Sequence, residues 1–279
     1  MRREYETLVK ILISSTRGEN CIMRVAVVAD IHSNHIAFEA VLKDISNRDI
    51  DSIFFLGDYI FGGYGSNETV DLLMDYKREN KKHFVLSGNI EELIASIEEN
   101  ADWIYPVNKR IYNELGRERI LFLKSLPQNI LIEVDGISMQ LCHNPSDINM
   151  FTVVDNLRRE KNIPNLRGLA ELSSNMKGDV CIFGHYHLFM DEEVCGVRFI
   201  CPSSVGMPFN GDPRAQYIIL NLSEGRITTS RQYVEYDRLK LVEGFDKNGY
   251  FEKFDNWAMN MVTTILTAQN YIGTLNLNK

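Results

Sequence analysis

Six short runs rich in β-branched and aromatic residues constrain this chain most: Val25–Ala29, Ile53–Leu56, His83–Leu86, Ile137–Leu141, Asp179–Phe183 and Tyr217–Leu222. Each has the length of a buried strand, and five lead directly into Asp, His or Gly-Asn. Helical patterns lie between the early runs. Ile36, Ala37, Ala40, Val41 and Ile45 recur at helical spacing, with Asn34 placed to cap that helix. Val70, Leu73 and Met74 repeat the pattern behind Ser66-Asn67-Glu68. Strand–helix–strand alternation predicts a layered α/β core, in which ligands bind where strands end and loops begin.

Five polar clusters fall at that level. They are Asp30-Ile31-His32-Ser33-Asn34, Gly57-Asp58, Gly88-Asn89, Cys142-His143-Asn144 and Gly184-His185-Tyr186-His187. Each supplies oxygen or imidazole donors, and none supplies thiolates at metal-ligand spacing. Such donors suit Mn²⁺, Fe²⁺, Zn²⁺ or Mg²⁺ better than thiophilic ions. Asp30 and His32 are two residues apart, a spacing that lets both reach one ion from just beyond a strand end, and His185 and His187 have the same spacing. Taken singly, Asp58 and Asn89 read as turn residues and His143 as a core histidine. The order of all five clusters points to a metal site. Four of the six histidines lie in them, and the other two, His35 and His83, read as structural.

Composition narrows the function classes. The formal net charge is −8, which disfavours sequence-independent nucleic-acid binding. It leaves room for a small phosphate ester, because bound cations can reverse the sign of a pocket. Five cysteines without a C-x-x-C spacing read as reduced thiols of a cytoplasmic protein. No run approaches the roughly 20 apolar residues of a membrane span. The run Leu8-Val9-Lys10-Ile11-Leu12-Ile13 is interrupted by Lys10 and precedes no small-residue cleavage site. Residues 1–22 therefore read as an appendage to a domain starting at Met23. Residues 91–125, with Trp103, Tyr105 and Tyr112, read as helical up to Leu126-Pro127. Residues 252–272 read as a helix whose broad apolar face holds Phe254, Trp257, Ala258, Met261, Val262, Ile265 and Leu266. The expected organisation is a catalytic domain over 23–238 and a helical extension over 239–279. The extension's apolar face would pack on that domain or form a homo-oligomer contact.

The series D-x-H, G-D, G-N, H and G-H-x-H resembles the calcineurin-like metallophosphoesterase superfamily, over roughly Met23 to Leu222. Asp30-Ile31-His32-Ser33-Asn34 and the later Ser203-Ser204-Val205-Gly206-Met207-Pro208, continuing to Gly211-Asp212-Pro213-Arg214-Ala215, are similar to its small bacterial branch. That branch holds single-domain phosphodiesterases and asymmetric diadenosine-tetraphosphate-hydrolase-like enzymes. The resemblance implies two mixed β-sheets packed as a sandwich and flanked by helices, in four layers. It also implies two divalent ions, Mn²⁺ or Fe²⁺ before Zn²⁺ or Mg²⁺. One would be held by Asp30, His32, Asp58 and His187, and the other by Asp58, Asn89, His143 and His185. Asp58 would bridge them, and a hydroxide between the ions would attack phosphorus. Asp58, Asn89 and His143 become the expected catalytic residues, and Asn34 and Asn89 the expected contacts to a small phosphate-ester or nucleotide substrate.

Three positions depart from the family pattern. Ile90 stands where His or Cys often follows Gly-Asn, although Glu91 keeps the acidic position beside it. Asn144 replaces a usual Gly, and Cys201-Pro202-Ser203-Ser204 replaces Asn-Pro-Gly-Ser. None removes an expected ligand. The alternatives are a phosphomonoesterase, a phosphoprotein phosphatase, which Ile90 disfavours, and a non-catalytic scaffold of the same fold, which would lack metal ligands.

Overall fold

The structure is a computed structural model. It describes residues 7–8, 22–79, 83–96, 106–134, 136–145, 169–170, 173–174 and 176–272. All six apolar runs contain strands: β2 (Met23–Val28), β3 (Ser52–Phe55), β4 (Phe84–Val85), β6 (Ile137–Cys142), β7 (Val180–Ile182) and β10 (Ala215–Ser223). To these are added β1 (Thr7–Leu8), β5 (Asn129–Val134), β8 (Phe189–Val194), β9 (Val197–Pro202) and β11 (Arg226–Val234). One sheet runs β1-β5-β6-β7-β9-β8 and the other β11-β10-β2-β3-β4. Both are mixed: β2, β3 and β4 are parallel, whereas β10 is antiparallel to β2.

The strand pattern explains the sandwich. Alternate side chains of a strand leave on opposite faces. Val25 and Val27 of β2 enter a core shared with Met139, Leu141, Ile182 and Ile200 of the six-stranded sheet. Ala26 and Val28 enter the core beneath the helices. A strand covered on both faces needs an unbroken apolar run, which is what made β2 legible. Helix α1 (His35–Ser46) begins at Asn34, whose Oδ1 accepts the Ala37 N–H, and α2 (Ser66–Glu79) follows β3.

Within the helical stretch expected over 91–125, the described residues form α3 (Asn89–Ser96) and α4 (Pro106–Lys124). Trp103 and Tyr105 lie outside the described residues. Gly116 breaks α4 internally with φ 71°, a conformation that costs a residue without a Cβ little. The C-terminal part also holds two helices, α5 (Arg238–Lys247) and α6 (Tyr250–Thr267), and Phe254 kinks the second at φ −138°. Trp257, Ala258, Met261, Val262 and Ile265 enter the same core as α1 and β2, so the apolar face is spent within the chain. Leu266 departs from the expected face: it is 39% exposed, because it lies about 100° round the helix from Ile265. Of residues 1–22, Thr7 and Leu8 pair in parallel with Ile130 and Leu131 at the sheet edge, and apart from Ile22 the rest lie outside the described residues. Cys142, Cys181, Cys195 and Cys201 are free thiols. Among the described residues no helix is long and apolar enough to cross a membrane.

Candidate metal centre

All seven expected ligands meet at one end of the sandwich. Asp30 and His32 leave β2, Asp58 leaves β3, Asn89 opens α3, His143 leaves β6, and His185 and His187 leave β7. The loops are laced to one another: the backbone N–H groups of Asp30, His32 and Ser33 donate to the carbonyls of Gly57, Asp58 and Tyr59 at 2.8 to 3.0 Å. The Gly184 N–H donates to the His143 carbonyl at 3.0 Å, and the His185 N–H to Asp30 Oδ2 at 2.9 Å. From the other side, Gly206 N–H and Ser204 Oγ–H both donate to the Asp30 carbonyl, at 3.0 and 2.7 Å. Five of the seven expected ligands, Asp30, His32, Asp58, His185 and His187, have φ between 51° and 72°. Left-handed backbone costs about 1–2 kcal/mol per L-residue. Strain of this kind collects at functional sites, where surrounding contacts over-determine it.

The donor atoms form two groups, Asp30–His32–His187 and Asp58–His143–His185, with the atoms of each within 4.8 Å of one another. Asp58 Oδ2 joins them, lying 3.2 Å from His143 Nε2 and 3.9 Å from His32 Nε2. Asp58 Oδ1 is held separately by the Ile90 N–H at 3.1 Å. Asn89 Oδ1 sits 3.0 Å from His143 Nε2 and 2.8 Å from His185 Nδ1.

Second partners fix the imidazoles. The Nδ1 atoms of His32, His143 and His187 lie 2.8, 2.8 and 2.5 Å from the carbonyls of Phe61, Leu56 and Met207. A carbonyl only accepts, so each Nδ1 carries a proton, and in the neutral imidazole the Nε2 lone pair turns inward, as in metal-ligating histidines. In that state the Nε2 atoms of His32 and His187 face each other at 3.0 Å, two lone pairs that repel unless a cation lies between. The residues present therefore fit divalent metal.

The electrostatics of the imidazoles differ. Burial, then the neighbouring His187, pushes His32 down to about 4. Burial and His143 push His185 to about 4 as well. Burial alone would lower His143, but the Asp58 carboxylate overrides it and raises that imidazole to about 10. Burial opposes ionisation of Asp58 and Asp30, yet His143 beside the first and His187 beside the second hold both carboxyls below their usual range.

Asn34, expected to touch substrate, is fully engaged inside the protein. Its Oδ1 caps α1 and its Nδ2 donates to the Gly206 carbonyl at 3.0 Å and to the Tyr236 hydroxyl at 3.2 Å. His83 is structural, accepting the Ile53 N–H. His35 packs edge-on against Tyr64. Two supporting residues had a faint signal in the sequence. Ser204 lies in the quoted Ser203–Pro208 segment, and Glu91 follows Gly-Asn-Ile.

The domain profile described as "Calcineurin-like phosphoesterase superfamily domain" matches residues 23–225. The chain is 32% identical to an uncharacterized protein of Methanocaldococcus jannaschii, MJ0912, over 248 residues, covering 80% of this chain and 92% of that one. Its fold is similar to the crystal structure of a metallophosphoesterase from Sphaerobacter thermophilus, with a TM-score of 0.65, 25% identity, and coverage of 88% of this chain and 99% of that one. It also shares its fold with the hypothetical protein PH1004 from Pyrococcus horikoshii OT3, with a TM-score of 0.64, 17% identity, and coverage of 86% and 97%. With the histidine–aspartate cluster at the strand ends and the match over residues 23–225, this chain belongs to the calcineurin-like phosphoesterase superfamily.

Proposed function

We propose that this protein is a dinuclear-metal-dependent phosphodiesterase acting on small phosphodiesters or on the phosphoanhydride bonds of nucleotides. The observation that carries the reading is the placement of Asp58 Oδ2 between the two donor groups, 3.2 Å from His143 and 3.9 Å from His32. One ion would be held by Asp30, His32, Asp58 and His187, and the other by Asp58, Asn89, His143 and His185. Two such ions, Mn²⁺ or Fe²⁺ before Zn²⁺ or Mg²⁺, supply Lewis acidity: they lower the pKa of water and neutralise charge on the phosphoryl oxygens.

The chain's own residues do the rest. The carbonyls of Phe61, Leu56 and Met207 keep three imidazoles in the ligating tautomer. The Ile90 N–H takes one oxygen of Asp58 and leaves the other for the centre. Asn89 directs its Oδ1 to the His143–His185 side, and its amide is the side chain we assign to substrate. Water attacks phosphorus directly and the bond to the leaving oxygen breaks, with no covalent phospho-enzyme. Ile90 has no proton to give, so good leaving groups, such as p-nitrophenolate or a nucleotide phosphate, are favoured over simple alkoxides and phosphoserine.

The test is hydrolysis of bis-p-nitrophenyl phosphate, p-nitrophenyl phosphate and a panel of nucleotides by protein loaded with Mn²⁺ and, separately, Fe²⁺. Metal-dependent turnover of the diester or of an anhydride, with little on the monoester, is the expected result. Preference for the monoester would replace this reading with a phosphomonoesterase. Absence of turnover on every substrate would refute it.

A further inference from the structure

Glu91 is fully buried, and it serves the loops rather than the solvent or a cation. Its Oε2 accepts the N–H groups of Asp58 and Gly88 at 2.8 and 2.9 Å. Its Oε1 accepts those of Tyr59 and Ile60 at 2.9 and 3.3 Å. One carboxylate therefore takes four backbone donors from two loops. The first loop carries Asp58, the shared ligand. The second leads into Asn89, a ligand from the opposite wall of the same site. Those donors need an acceptor because their own backbone has left the sheet. Asp58 sits in left-handed backbone at φ 54°, so it cannot continue the β3 ladder.

The geometry points to a specific division of labour. We infer that Glu91 is a positioning residue for the Asp58–Asn89–His143–His185 metal site: it fixes the separation of Asp58 from Asn89 and so sets that site's affinity for a divalent ion. The Asp30–His32–His187 group depends on it less. That site shares only Asp58 with the first, and the Asp30 carbonyl accepts from the Gly206 N–H and the Ser204 hydroxyl, neither of which Glu91 touches. His187 is held by the Met207 carbonyl.

A carboxylate is needed at position 91 for a reason of hydrogen-bond inventory. Both its oxygens accept, whereas a glutamine presents one acceptor and one NH₂ donor. Glu91→Gln keeps the shape but turns a donor against either the Asp58 and Gly88 N–H groups or the Tyr59 and Ile60 N–H groups. Whichever pair is opposed, the loop bearing Asp58 loses contacts. Loss of an outer partner of this kind costs about 10–100-fold in metal affinity.

The inference rests on the dinuclear reading of the site, and its experiment does not use turnover. Mn²⁺ binding to metal-stripped protein is followed by calorimetry for the unaltered chain, Glu91→Gln, Glu91→Asp and Asp44→Asn. Asp44 is the comparison: it accepts from Tyr217 and Arg48 away from the centre. The expected result is a weaker second Mn²⁺ in Glu91→Gln, by about tenfold or more, with the first changed far less. Glu91→Asp, which retains both acceptors, should recover part of the loss. Asp44→Asn should lower the melting temperature with both Mn²⁺ affinities intact. Glu91→Gln that folds and binds two Mn²⁺ as tightly as the unaltered chain overturns the inference. So does a loss shared equally by both sites, which would mark Glu91 as structural only. Should Glu91→Gln fail to fold, Glu91→Asp decides by the same two affinities. Two Mn²⁺ bound by the unaltered chain without hydrolysis of any phosphate ester would defeat the proposed reaction and leave the role of Glu91 standing.

Discussion

Gly88→Ala is the smallest change that should disable the centre. A Cβ built at Gly88 would lie 2.2 Å from Asp58 Oδ1, 2.3 Å from the Asp58 amide nitrogen and 2.9 Å from Glu91 Oε2. Ordinary contact begins at 3.4 Å, so Asp58 would have to retreat by about 1 Å, and overpacking of this kind costs about 1–3 kcal/mol. The neighbours leave it little freedom. Asp58 Oδ1 is bonded to the Ile90 N–H, its own N–H to Glu91, and its Oδ2 faces His143. At about 2–4 °C per kcal/mol for a chain somewhat smaller than this one, the melting temperature should fall by several degrees. Turnover should fall further, because a misplacement of about 1 Å in a catalytic constellation costs about 100-fold. Calorimetric melting, metal content by atomic absorption and diester hydrolysis measure the three effects. Gly136→Ala is the control. Its Cβ would meet nothing within 4 Å, although φ is +77°, so it should cost about 1–2 kcal/mol of backbone strain and leave turnover unchanged. Gly88→Ala with native metal content and native turnover would show that Asp58 tolerates displacement and that the proposed bridging geometry is wrong.

Three further outcomes are expected. Asp58→Asn should lower the content of both metals and reduce turnover by orders of magnitude, since the shared carboxylate charge is lost to both sites; near-normal activity with two metals bound contradicts the bridging role. Metal binding should release a proton from His143: Asp58 raises that imidazole to about 10, so it is protonated in metal-free protein at pH 8 and must be deprotonated to ligate. Affinity at that site should thus rise with pH up to about 10, and calorimetry in buffers of different ionisation enthalpy counts the protons; no release at pH 8 refutes it. Truncation after Arg238 removes Trp257, Met261 and Ile265 from the core of the five-stranded sheet and should cause aggregation, checked by light scattering; a monodisperse product of unchanged stability would make α5 and α6 an ornament.

The sequence by itself determined which residues could ligate and which segments could be central strands. Those properties are local. A strand covered on both faces must be apolar throughout, and its first polar residues must mark its end, which is why Val25–Val28 followed by Asp30 is readable. Edge strands were less legible. In β11 only Ile227 is buried among Arg226–Ser230, so the apolar run that marks a central strand is absent. The dipeptides Cys195-Gly196 and Glu224-Gly225 carry the better signal. Both residues of each have positive φ, as tight two-residue hairpin turns require, and they join β8 to β9 and β10 to β11.

Tertiary structure alone decided which atom of each expected ligand faces the centre. The tautomer of His143 depends on the Leu56 carbonyl, 87 residues away in sequence, and that of His32 on Phe61. Asn34 reads equally well as a helix cap or a substrate contact until Gly206 and Tyr236 are seen to occupy its amide. Glu91 reads in the sequence only as the acidic position after Gly-Asn-Ile, because its four donors belong to backbone that is brought to it only when β3 and β4 pair. Side-chain identity sets what chemistry is available. Hydrogen-bond partners supplied across the sandwich set which lone pairs remain free to perform it.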